Sequence, residues 1–348
     1  MSYTNGLDKP SDYFVTKLYT GNGGTQSITG LDFQPDWTWI KGRSGSYGVS
    51  NHKVYDVVRG ATKTLFVNLT NAESTQTNTL TSFNSDGFSL GNDTNVNASS
   101  TNFASWNWKA GGSASSNSNG SITSSVSANQ DAGFSIVSYS GNGTAGATIG
   151  HGLGAIPKMM IVRKRNSAEN WLVYHASTGN TGATLLNGTN AFFQDNMWNS
   201  TSPTSSVFTV HGDAGANASG GTYIAYCFAE KQGYSKFGSY VGNGNVSGSY
   251  IHLGFKPAFV MIKKTSGTGS WYIYDNKRDV SNAMTRNLFP DGNYVEDNNT
   301  NNNLDFLSNG FKIRTVSGAR NASGGSYIYM AFAENPFVTS SGVPATAR

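Results

Sequence analysis

The chain has 348 residues, 12% aromatic and only 13% charged, with a net charge of +4. Its Lys and Arg are scattered, which argues against the basic stripe of a nucleic-acid binder, and its single cysteine, Cys227, leaves no internal disulfide and no thiolate metal cluster. No apolar run reaches the roughly 18 residues of a membrane span, and the first ten residues lack the apolar core of a secretory signal.

Residues 1–13 read as a polar arm able to dock to another protein. A first module covers residues 14–110, in which short alternating strands are expected rather than helices, because long-helix formers are scarce and Gly, Asn, Ser and Thr abound. Residues 111–132, rich in Gly, Ser and Asn, read as a flexible linker. A second module follows at 133–231, a third at 232–337, and an unstructured tail at 338–348. The short connection predicts that modules two and three pack as a rigid pair, with module one freer. The segments Asp56 to Leu65 and Asp275 to Leu288 lack period-two patterning and are candidates for short helical turns.

The modules are copies of one plan. Tyr19-Thr20-Gly21-Asn22-Gly23 returns as Tyr139-Ser140-Gly141-Asn142-Gly143 and as Tyr240-Val241-Gly242-Asn243-Gly244. Asn97-Ala98-Ser99 returns as Asn217-Ala218-Ser219 and Asn321-Ala322-Ser323, at 76, 76 and 79 residues from the first Gly of each turn. Asn-Gly accepts positive φ, so a tight hairpin is expected at each turn. Pro35, Pro157 and Pro257 each precede a cation by six residues: Lys41, Arg163 and Lys263. The apolar runs between them, such as Met159-Met160-Ile161-Val162, predict strands covered on both faces. The fold class expected is all-β: three tandem, jelly-roll-like β-sandwich modules of about 100 residues each.

Candidate chemistry is sparse. Gly141-Asn142-Gly143-Thr144-Ala145-Gly146 spells a dinucleotide fingerprint, but no helix follows to receive a pyrophosphate. The five histidines, His52, His151, His175, His211 and His252, have no zincin spacing. Asp56 and Asp275 are equivalent, but His175 stands between them in the repeat, so no paired acid and base recurs. The sequence therefore predicts no catalytic residue, no metal ligand set and no cofactor. Asp93, Asp213 and Asp297 lie in polar stretches with the composition of Ca²⁺ loops. The three Asn-Ala-Ser sites match the glycosylation sequon but also suit turns. The candidate surface-binding residues are the cations Lys41, Arg163 and Lys263, the aromatics Trp171 and Trp271, and the turn residues Asn22, Asn142 and Asn243. Charged strand ends and core aromatics are the rival structural readings of the first two groups.

The stretch from Val54 to Ala61, the stretch from Thr81 to Gly91, Trp106-Asn107-Trp108-Lys109-Ala110-Gly111, Gly238 to Gly244 and Tyr327 to Phe337 together resemble repeat modules of tailed-bacteriophage virion proteins of marine and aquatic phages. The resemblance covers nearly the whole chain. It implies a non-enzymatic, tail-fibre-like structural protein, made in the host cytoplasm and exposed on the particle. Its implied partners are other virion proteins and a host-surface glycan, with a homotrimer the usual state and no nucleic acid or membrane insertion. A capsid-attached fibre or decoration protein is the first alternative, and a polysaccharide-degrading virion protein the second.

Overall fold

The computed structural model describes residues 7–45 and 47–345. It is all-β, built from antiparallel sheets, with helix confined to single turns. Among the described residues no helix is long and apolar enough to cross a membrane.

One strand order recurs in three large sheets. In the first, strand Phe14–Thr20 pairs with Asn102–Trp108, which pairs with Trp37–Gly42, which pairs with Lys53–Asp56. The second repeats this order with Phe134–Ser140, Thr222–Phe228, Met159–Lys164 and Trp171–His175. The third uses Ser235–Val241, Ser326–Pro336, Phe255–Lys264 and Trp271–Asp275. Each large sheet is faced by a small one: Gln26–Thr29, Gly87–Leu90 and Leu80–Asn84 in the first repeat, Ala147–Gly150 and Val207–Val210 in the second, and Tyr250–His252, Gly310–Ile313 and Leu304–Leu307 in the third.

The apolar runs explain this layering. Alternate residues of a strand point to opposite faces. Met160 and Val162 enter a core local to the second repeat, whereas Met159 and Ile161 enter a core shared by all three large sheets. Val260 and Ile262 against Phe259 and Met261 divide in the same way. In the first repeat Ile40 faces the local core, while Trp37 and Trp39 face the shared one. At the centre Trp37 stacks on Tyr226 with ring centroids 4.4 Å apart, and Phe14 stacks on Phe332 at 5.1 Å. Aromatic pairs of this kind contribute about 0.5–1.5 kcal/mol beyond the area they bury.

Several expectations are corrected. Module one is not freer than the others, because its tryptophans form the middle of the common core. The segment 111–132 is not a flexible linker: Ser115–Asn117 and Ser124–Asn129 extend the second large sheet. Ser124 and Val126 are buried on one side of that added strand, a period-two pattern that the Ser-rich composition masks. Asp56 to Leu65 and Asp275 to Leu288 form turns and short strands; α-helical turns lie instead at Thr94–Asn97 and Gly318–Asn321, leading into two of the Asn-Ala-Ser sites, and 3-10 turns at Pro10–Asp12 and Thr300–Asn302. The Gly-Asn-Gly turns are not tight hairpins, since the flanking strands belong to different sheets. Residues 1–6 of the arm and 346–348 of the tail lie outside the described residues. From Leu7 onward the arm is packed, with Leu7 in the shared core, and the tail folds back so that the Ser340 N–H donates to Asp8 Oδ1 at 2.8 Å.

Candidate functional site

The recurring asparagines act as internal clamps. Asn97 is fully buried; its Oδ1 accepts the Asn22 N–H at 3.0 Å, and its Nδ2 donates to Asn22 Oδ1, Gly24 O and Gly91 O. Asn217 holds Asn142 and Thr144 in the same way, and Asn321 holds Asn243, Asn245 and Thr315. The turn is pressed so closely onto this segment that a Cβ on Gly21 would lie 2.2 Å from the Ala98 carbonyl oxygen. Tyr19, Tyr139 and Tyr240 close the same joint with hydroxyls donating to the carbonyls of Val96, Ala216 and Arg320. The three asparagines are therefore not accessible glycan acceptors. Asn22, Asn142 and Asn243 are exposed at the turn tips, although each side chain is held by its clamp.

Lys41, Arg163 and Lys263 are not surface residues; all three are fully buried, one at each seam between repeats. The Arg163 guanidinium reaches from repeat two to Asn71 O in repeat one at 2.5 Å. The Lys263 ammonium reaches from repeat three to Thr189 O in repeat two at 3.1 Å and also donates to Gly269 O. The Lys41 ammonium donates to Gly42 O and Gly48 O, and Glu296 of repeat three supplies opposing charge. Burial lowers Lys41 to about 7, Lys263 to about 8 and Arg163 to about 10. Backbone carbonyls receive both lysine ammoniums, and one carbonyl receives Arg163 Nη2, while Arg163 Nε and Nη1 make no hydrogen bond.

Trp171 and Trp271 also face inward. Each lies in the shared core, and its indole N–H crosses a seam at 2.8 Å, to Phe66 O and Leu185 O respectively. The seams repeat further contacts in cyclic order. Tyr226 O–H donates to Asp56 Oδ2 at 2.7 Å, His175 Nε2 lies 3.1 Å from Tyr329 O, and Trp106 Nε1 donates to Asp275 Oδ2 at 3.1 Å. Arg165 grips Glu73 with two bonds of 2.9 Å between repeats one and two, and Arg43 grips Glu296 at 2.7 and 2.8 Å between three and one. At the remaining seam Phe192 and Thr265 take those positions, and only the backbone bond between them persists, at 3.0 Å.

Two carboxylates also grip the buried arginines of their own repeats. Asp56 binds Arg59 and Asp275 binds Arg278, both pairs enclosed in the interior. Glu73 and Glu296 add a second carboxylate to each arginine; against the effect of burial, Arg165 with Arg59 holds Glu73, and Arg43 with Arg278 holds Glu296, below the usual carboxylate range. Among the described residues no group of three or more His, Cys, Asp or Glu is placed to hold a metal ion.

The open feature that the sequence did not single out as a pocket lies in repeat two. A cavity of about 470 Å³ is lined by Leu172, Leu185, Phe193 and Met197, with Glu169, Asp195 and Asp213 among its polar walls. Asp213 Oδ1 accepts the N–H groups of Gly215 and Ala216, while its enclosed Oδ2 accepts no hydrogen bond; His211 Nδ1 lies 4.0 Å away. Burial raises the Asp213 carboxyl, the two N–H groups oppose that shift, and the nearby Asp195 charge adds to it. The signal available in the sequence was a break in the repeat, Leu172 standing where repeat one has Lys53.

No curated protein and no solved structure matches the chain. A family described as a domain of unknown function, DUF7483, matches residues 9–336. That match takes in all three large sheets and the shared core, and the chain belongs to this family.

Proposed function

We propose that the protein is a non-enzymatic structural protein of a phage virion surface, tail-fibre-like, in which three β-sandwich modules form a rigid scaffold for host-surface attachment. One observation carries the scaffold reading: the side chains common to the repeats are consumed in holding the molecule together. The Asn clamps, the seam cations and the core tryptophans are all buried. What differs between repeats, chiefly the longer loops, is left to face outward, where recognition is easiest to vary. The phage assignment rests on the resemblance of the repeat motifs. Binding of purified protein to host cells, with competition against infection, tests attachment; absence of both refutes it.

A capsid decoration protein is the second reading, favoured by the cyclic arrangement of the seams. A homotrimeric fibre brings three like units around an axis, whereas here three like units surround a shared core within one chain. A single chain of that form suits a site of threefold symmetry on a particle. Quantitative mass spectrometry of virions separates the readings, because copies in the hundreds belong to a decoration protein and rule against a tail fibre.

A further inference from the structure

Corresponding positions in the three repeats can be compared side chain by side chain. In repeat one the ammonium of Lys53, on strand Lys53–Asp56, is buried and donates to Gln76 Oε1 at 3.1 Å and Asp93 Oδ1 at 3.2 Å. In repeat three the buried guanidinium of Arg320 occupies the matching space, 3.5 Å over the ring of Tyr272 and 3.3 Å from Asn287 Oδ1. Both sites are filled by a cation from the chain itself.

Repeat two keeps the receptor and lacks the cation. Strand register places Leu172 where Lys53 and Tyr272 stand. Asp213 corresponds to Asp93: each accepts from the N–H two residues on, four residues before its clamp asparagine. Asp195 corresponds to Gln76, since each donates its N–H to the residue before a matching strand position, Thr181 O and Thr62 O. The two acceptors of repeat one are thus two carboxylates in repeat two. The space of the missing side chain is the 470 Å³ cavity floored by Leu172 and Leu185, with Phe193 and Met197 beside it. Asp213 lines this cavity, and its Oδ2 accepts no hydrogen bond and lies 4.0 Å from His211 Nδ1.

We propose that this cavity is a binding site for an external primary ammonium carried on a short aliphatic stem, with Asp213 and Asp195 receiving the charge and the apolar floor receiving the stem. Lys53 supplies the template: four methylenes and an ammonium, held by two oxygens. A charge-assisted contact to a carboxylate is stronger than a neutral one, and burial of the stem's methylenes against the apolar floor adds to it. The same chemistry comes from a free alkylamine or from a lysine side chain of another protein. The site is independent of the virion assignment.

The test is an NMR titration of the intact protein with n-butylammonium, with n-butanol as the uncharged control and a capped tripeptide with a central lysine as the second arm. Saturable shifts confined to the surroundings of Leu172, Asp195 and Asp213 are expected with butylammonium and not with butanol. Leu172→Lys, which restores the tethered cation of repeat one, and Asp195→Asn, at the exposed rim, should each weaken binding roughly tenfold or more. Tripeptide binding about tenfold tighter than butylammonium assigns a protein lysine as the source; equal or weaker binding assigns a free amine. No saturable shift with either cation up to about 100 mM, or affinity unchanged in both variants, overturns the proposal. Asp195→Asn keeps the test decisive should Leu172→Lys fail to fold.

Discussion

Replacing each clamp asparagine by alanine measures how equivalent the three repeats are. Asn97 and Asn321 each make four side-chain hydrogen bonds among the described residues, and Asn217 makes three. With about 1 kcal/mol net per bond, and with only two N–H groups on each amide to share among the Nδ2 contacts, Asn97→Ala, Asn217→Ala and Asn321→Ala should each lose about 3 kcal/mol. Losses of this size are a large share of the roughly 5–15 kcal/mol of a typical protein, so the variants remain folded at low temperature but melt early. Urea unfolding followed by tryptophan fluorescence, with linear extrapolation, provides the values. Because the repeats share one core, each variant should unfold in a single transition with an unchanged slope. A loss under about 1 kcal/mol at any of the three positions, or separate transitions for the repeats, refutes the reasoning.

Three other outcomes follow from the interior. His175 is held neutral, its basicity lowered to about 4 by burial despite the Tyr329 carbonyl. The unfolded chain therefore takes up a proton first as pH falls below 6.5, and His175 should remove stability progressively between about pH 6.5 and 4; urea midpoints across that range should be flatter in His175→Gln than in the parent. Glu296→Gln removes the charge that faces Arg43 and Arg278 at the seam of repeats three and one, and should destabilise by about 3–5 kcal/mol, read from the same denaturation curves. Cys227 is fully buried and its thiol is pushed up to about 12, so a thiol reagent should label it in urea and not in the native protein, as mass spectrometry would show.

The sequence exposes local order better than distant partners. Met159-Met160-Ile161-Val162 reads as a strand covered on both faces, and the structure places a core on either side of it. The repeated turn and the repeated Asn-Ala-Ser are both visible as patterns, yet Asn22 and Asn97 find each other across 75 residues, and no local signal joins them. A buried lysine is rare unless paired. Lys263 escapes that expectation because one of its acceptors is a carbonyl of the neighbouring repeat, which a strand pattern cannot display. The stretch at 111–132 was hidden for another reason: serine dominates its composition, while the alternation of Ser124, Val126 and Ala128 carries the strand. The cavity of repeat two is legible only by difference, through an apolar residue where its sister repeat places a charge.

The seam between repeats three and one keeps the Arg43–Glu296 grip and the Trp106–Asp275 bond, although no peptide connection joins its flanks in sequence order. Asp8 and Ser340 touch across it, and the Tyr13 and Tyr234 rings meet edge to face at 5.8 Å. Which repeat comes first is therefore a matter of covalent connectivity and not of packing. A circular permutant joined near Asp8 and Ser340 and opened in an exposed loop between two repeats would retain every contact of the closed ring, as chains with neighbouring ends commonly do.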